Sequence, residues 1–273
     1  MVVRRYQLLA FFVLTFAISW TLWLGLAAAA LPITTTTGAV LNVIAIAGPS
    51  IAAVLLTIRL SQLRELLAGF SLSRLSPGWS AVALTLPLAL MAIAIAASVA
   101  LLGAPNPHLT VGVLGMLLVE FVRILFLGGP LGEELGWRGF ALPRLQQRRT
   151  ALMSSIFLGL IWGLWHIPLY FVPGTGQHEI LRSGTSPGFA IGGFVGWTIG
   201  LSVLFTWLFN KTRGSLIVVI LFHAAINLAA FLPSAVGSPG AASLLNVLLT
   251  WIAAIVVVVC FGRTRLASTL RGT

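Results

Sequence analysis

Aspartate is absent from these 273 residues, glutamate occurs five times, lysine once and cysteine once. Charged residues make up only 8% of the chain, against roughly 25% in a typical soluble domain. A water-soluble surface cannot be built from so few charges. One cysteine, Cys260, excludes an intramolecular disulfide framework, and its place near the end of the last apolar run reads as packing. Fifteen arginines stand against one lysine, which looks like genome bias and carries no functional weight.

What fills the chain instead is apolar sequence: 59% hydrophobic residues and a mean hydropathy of +1.06. Runs near 20 residues, long enough to cross about 30 Å of hydrocarbon as helix, recur from end to end. Eight are expected: Leu8–Leu31, Ala39–Ile58, Trp79–Gly103, Val111–Gly129, Ala151–Val172, Phe189–Phe209, Ser215–Leu232 and Ala241–Phe261. The fold class is all-α, a polytopic membrane helix bundle. The first run has a rival reading as a secretory signal peptide, since Arg4 and Arg5 precede it and Ala27–Ala30 offer small residues for cleavage. Its length argues for a span, because a signal's apolar core runs about 7 to 15 residues.

A net charge of +11 raises nucleic acid as a partner, but the arginines have a topological explanation. Arg4 and Arg5 precede the first span; Arg59, Arg64 and Arg74 follow the second. Arg138, Arg144, Arg148 and Arg149 follow the fourth, Lys211 and Arg213 the sixth, and Arg263, Arg265 and Arg271 the eighth. Fourteen of sixteen basic residues thus fall in alternate connections. The opposite loops hold only Arg182, and Arg123 sits inside a span. Both termini are expected in the cytoplasm of a multi-pass cell-membrane protein, with the lipid bilayer as partner and no role for nucleic acid.

With spans this close together, residues 1–273 read as a single membrane domain. In the gap Arg59–Gly78, Leu60, Leu63, Leu66, Leu67 and Phe70 recur at helical spacing and predict a helix lying in the inner interface. Gly192, Gly196 and Gly200 in the sixth span predict a close helix crossing. No internal repeat of the kind many transporters carry is visible.

Polar residues at membrane depth are the functional candidates. In Gly128–Leu145, GGPLGEELGWRGFALPRL, two glycines and a proline break the fourth run before a helical pattern resumes. Glu134 and Arg138, four apart, meet on one helical face, so Arg138 neutralises Glu134 and leaves Glu133 pointing elsewhere. An interfacial charge cluster is the plainer alternative. The fifth span carries Trp162, Trp165 and His166 ahead of Pro168; the seventh carries His223 and Asn227, again four apart. A lone membrane histidine commonly bridges helices. Two of them, with an aligned asparagine and a carboxylate pair, indicate a site.

Glu133, Glu134 and Arg138 fit EExxxR, Trp162–His166 fits [FW]xxxH, and His223–Asn227 fits HxxxN, in that order along a multispan chain. The sequence resembles the CPBP family of intramembrane proteases, related to type II CAAX prenyl endopeptidases and to bacteriocin-processing and immunity proteins. The resemblance covers about Val111–Leu232, expected to be the catalytic core. It implies an endopeptidase facing the cytoplasmic side, acting on a peptide or protein substrate that is membrane-associated or lipidated. Catalytic candidates are Glu133, Glu134, Arg138, His166, His223 and Asn227.

Chemistry divides the labour among them. Glu133 is the general base, His166 shares or orients the water, and His223 with Asn227 supply N–H donors to the oxyanion. Glu134 with Arg138 holds the helix in register. No cofactor is needed in that scheme. Zinc held by Glu133, His166 and His223 is the alternative, though HExxH is absent and Asn227 is a poor zinc ligand. A proton-coupled transporter using Glu133, His166 and His223 as a relay, and a catalytically silent immunity protein, are rivals of other classes. One difficulty stands: on straight helices Glu133 lies about 33 Å into its span and His223 only about 14 Å from the inner end of its own.

Overall fold

In the computed structural model, residues 6–238 and 241–267 are described. Arg4, Arg5 and Arg271, which entered the charge argument, lie outside the described residues. Thirteen α-helices run along these residues, and no strand occurs among them. They are α1 (Gln7–Ala28), α2 (Thr36–Ile46), α3 (Gly48–Leu60), α4 (Leu63–Leu67), α5 (Pro77–Leu102), α6 (Val111–Leu127) and α7 (Pro130–Glu134). A π-helical stretch, Leu135–Ala141, leads into α8 (Leu142–Gln146), followed by α9 (Ala151–Trp165), α10 (Gly176–Arg182), α11 (Pro187–Lys211), α12 (Leu216–Ala235) and α13 (Ala241–Phe261).

Several helices start where a hydroxyl caps them. Thr110, Thr150 and Ser215 accept from the backbone N–H three residues on, satisfying a donor that the first turn leaves orphaned. Seven helical stretches are long and apolar enough to span a membrane, and α2 with α3 forms an eighth that is bent by 47°. The all-α class and the eight spans read from the sequence therefore stand.

The bend has a local cause. Pro49, at the start of α3, has no N–H to give the carbonyl of Ala45 four residues back. That oxygen accepts instead from the Ser19 hydroxyl of α1, at 2.7 Å. Into the elbow fit two glycines of the motif segment. A methyl group added at Gly132 would lie 3.1 Å from Ala47 Cα, and one at Gly136 would lie 2.4 Å from the Pro49 carbonyl oxygen.

Val111–Gln146 forms one helical stretch of 36 residues, about 54 Å long and so longer than the hydrocarbon layer. Its first half, α6, is peripheral, with Ile124 as its one buried residue. From Pro130 onward the chain is interior: Glu133, Glu134, Trp137, Arg138, Phe140, Ala141 and Leu142 are all buried. The change comes at Gly129, whose φ of +117° is hostile to any residue with a side chain.

Three expectations are corrected. Of the three glycines expected at a close crossing, Gly200 packs on Trp251 of α13 but Gly192 and Gly196 have open space beside them; the tightest approach is made by α9, where added methyls at Gly159 and Gly163 would lie 2.6 Å from Ile199 Cα and 2.9 Å from Val195 Cα of α11. The interfacial helix shrinks to α4 and two short 3₁₀ turns, because Ser61 ends α3 in the left-handed conformation and the chain then folds inward to bury Leu66 and Gly69. Cys260 is exposed on α13, outside the buried core. The first run belongs to the core: Phe11 of α1 lies against Trp137 and Phe140.

Candidate active site

The three motifs meet. Glu134 and Arg138, four apart at the start of the π-helical stretch, form an ion pair of 2.8 and 3.0 Å with both side chains 0% exposed. The same carboxylate reaches α12, where His223 Nδ1 lies 2.6 Å from Glu134 Oε1. Asn227, one turn further along α12, donates its amide Nδ2 to the carbonyl of Gly128 at 3.1 Å, bridging α12 to the break before α7. These contacts answer the depth difficulty. The break and the elbow of the second span seat the Glu133 segment beside the histidine helix.

Glu133, on the next radial position, points away from Arg138 toward α9. Its Oε2 accepts from the indole N–H of Trp162 at 2.6 Å and from that of Trp137 at 3.3 Å. Its Oε1 lies over Gly129, where an added methyl group would sit 2.6 Å from that oxygen and 3.9 Å from Asn227 Nδ2. The absent side chain at 129 therefore leaves room beside one carboxylate oxygen and one amide nitrogen.

Trp162 is the hub. Its ring packs edge-on against His166 and His223, with centroids 5.7 and 5.5 Å away, and the Arg138 guanidinium lies 4.7 Å from its centre. That guanidinium also lies 3.8 Å over Phe205 of α11. Its Nε and Nη2 find no acceptor among the described residues, so aromatic faces take the place of hydrogen bonds. His166 Nδ1 donates to the Trp162 carbonyl at 2.7 Å, which leaves Nε2 as the ring's lone-pair nitrogen. All six residues singled out by the sequence thus come together. Trp137 was missed; its signal was its place four residues after Glu133, the spacing already used for Glu134 and Arg138. Phe205 offered no signal, since one phenylalanine in an apolar run resembles any other.

Among the described residues no group of three His, Cys, Asp or Glu side chains is arranged to hold a metal ion. Of the side chains named as zinc candidates, Glu133 holds two indoles through Oε2 and His223 meets Glu134 through Nδ1.

Comparison with known proteins supports the likeness carried by the motifs. Residues 115–229 match the family described as Type II CAAX prenyl endopeptidase Rce1-like. A stretch of 111 residues is 40% identical to CAAX prenyl protease 2 of Methanococcus maripaludis, covering 40% of this chain and 40% of that protein. The resemblance to the type II CAAX endopeptidase-like family is thus a property of the whole central segment, and the match reaches about two fifths of the relative's length.

Proposed function

We propose, from the likeness of residues 115–229 to type II CAAX prenyl endopeptidases, that this membrane protein is an intramembrane endopeptidase using Glu133 as its base. The observation that carries the reading is the asymmetry of the Glu133 carboxylate: two indole N–H groups hold Oε2, while Oε1 faces the space over Gly129 beside Asn227. A water placed there gives a proton to Oε1 as its oxygen adds to the scissile carbonyl carbon. The carbonyl oxygen becomes an oxyanion near Asn227, whose second amide hydrogen is not used by Gly128. Glu133 then returns the proton to the departing amine as the C–N bond breaks.

His166, with its Nε2 lone pair, accepts the water's other hydrogen and orients it. His223 is the second oxyanion donor. With Nδ1–H directed to Glu134, its Nε2 donates to the oxyanion only when the ring is doubly protonated, and the Glu134 carboxylate 2.6 Å away supplies the counter-charge. Glu134 and Arg138 position rather than react. The substrate class is a peptide segment of a membrane-associated protein, and the relative's name extends this to prenylated substrates. By the positive-inside rule, the arginine-rich end of the bundle and both termini lie in the cytoplasm. The steps of this reading need no metal ion, and none is routed through one.

The test is cleavage of a fluorogenic peptide ending in a prenylated CaaX sequence by purified protein stripped with chelator. Wild type is expected to cleave after stripping. Glu133→Gln is expected to bind the peptide but to lose at least ~100-fold in turnover, since the amide keeps the shape without accepting a proton. Activity lost on stripping and restored by zinc would overturn the metal-free scheme. Absence of cleavage by wild type across prenylated and unprenylated peptides would overturn the protease itself.

A further inference from the structure

At one end of the bundle the connections after the second, fourth, sixth and eighth spans meet around an open groove of about 960 Å³. Five arginines line it: Arg74, Arg148, Arg149, Arg213 and Arg265. They come from four separate stretches of chain, so the fold and not a local run assembles them. None makes an ion pair among the described residues, whose ion pairs involve Glu120, Glu134 and their partners. No glutamate lines the groove, and the chain has no aspartate to offer.

Loop charge that serves topology alone needs no shared concavity. Five guanidiniums converging without a carboxylate repel one another unless an anion sits among them. Two of the five are tethered across the groove's wall: Arg74 donates to the Gly214 carbonyl at 3.4 Å, and Arg213 to that of Ser73 at 3.4 Å. Arg148, Arg149 and Arg265 are exposed and free of such ties, and Arg149 is held over the Phe157 ring at 4.7 Å. Guanidinium is the side chain suited to a phosphate's paired oxygens. The apolar ring of Phe209 also faces the groove, and the groove lies where membrane spans end, at the level of lipid head groups.

We propose that this groove binds the phosphodiester head group of an anionic phospholipid from the adjoining leaflet, at a site separate from the Glu133 cluster. The partner is defined by its chemistry: a phosphate for the guanidiniums, joined to acyl chains that lie along the helix ends. The proposal does not rest on the protease reading.

Native mass spectrometry of the full chain, released from detergent with added phosphatidylglycerol or phosphatidylcholine, provides the test. Wild type is expected to retain phosphatidylglycerol in preference. The triple variant Arg148→Gln, Arg149→Gln, Arg265→Gln is expected to lose that retention by roughly 100-fold, at about fivefold per basic residue near a lipid surface. The double variant Arg59→Gln, Arg64→Gln removes charge elsewhere at the same end and is expected to bind like wild type. Monodispersity in detergent establishes that each variant is folded, and a second triple variant with lysine at the same three positions is expected to recover most of the retention. Equal retention of the two lipids, equal loss in the Arg59 and Arg64 variant, or saturable binding of inorganic phosphate with no lipid preference would each overturn the proposal.

Discussion

Trp162 donates to Glu133 at 2.6 Å while its ring contacts both histidines and Arg138, so its N–H and its ring can be separated by substitution. Trp162→Phe keeps the aromatic face and removes the donor. A hydrogen bond to a charged group contributes about 1.5–3 kcal/mol. If it holds the base in its working rotamer, kcat is expected to fall roughly 10-fold to 100-fold with KM within about twofold. A fall in KM alone, or no change, would remove Trp162 from the positioning of Glu133. Arg138→Ala acts differently, because it leaves the Glu134 carboxylate buried beside a histidine without its guanidinium. Breaking one side of a buried pair typically costs about 3–5 kcal/mol. Folded yield in detergent is expected to drop together with activity. Normal yield with lost activity would move Arg138 from support into the chemistry.

At the scale of helices, the site depends on glycines that let backbones touch. Gly159→Ala places a methyl group 2.6 Å from Ile199 Cα and 2.8 Å from the Thr198 carbonyl oxygen, atoms that cannot rotate away. Overpacking of this kind costs about 1–3 kcal/mol, and it pushes α9, with Trp162 and His166, away from α11. A lower melting temperature and reduced turnover are expected. Gly192→Ala, with nothing within 4 Å, is expected to leave both unchanged. Four-residue glycine spacing alone does not distinguish these helices, since α9 carries Gly159 and Gly163 and α11 carries Gly192 and Gly196. Only the α9 pair faces a neighbouring backbone.

For the whole molecule, the connections after the even-numbered spans share one groove, which gives the alternation of arginines a physical location. If that end is cytoplasmic, reporters inserted within Arg144–Arg149 and after Thr273 should both signal cytoplasm. A signal from the opposite side at either position would invert or break the topology. The two polar features of the bundle also differ in kind. The Glu133 cluster is buried and contains the Glu134–Arg138 ion pair, whereas the arginine groove is open and has no carboxylate in its lining.

The solvent, the helices and the motif residues were legible in the residue string because they are local or additive properties. Twenty apolar residues meet the bilayer whatever their neighbours, and Glu134 meets Arg138 because a helix turn brings any such pair together. Pairings between distant segments were not legible. That Glu133 turns one oxygen to Trp162, that Asn227 bridges to Gly128, and that Arg138 lies on Phe205 depend on helices distant in the chain arriving at one depth. Their arrival follows from the elbow at Pro49, the φ of Gly129 and the seats of Gly132 and Gly136. The seats of Gly132 and Gly136 are steric fits between backbones far apart in the chain, and a fit of that kind has no periodicity along the sequence to reveal it.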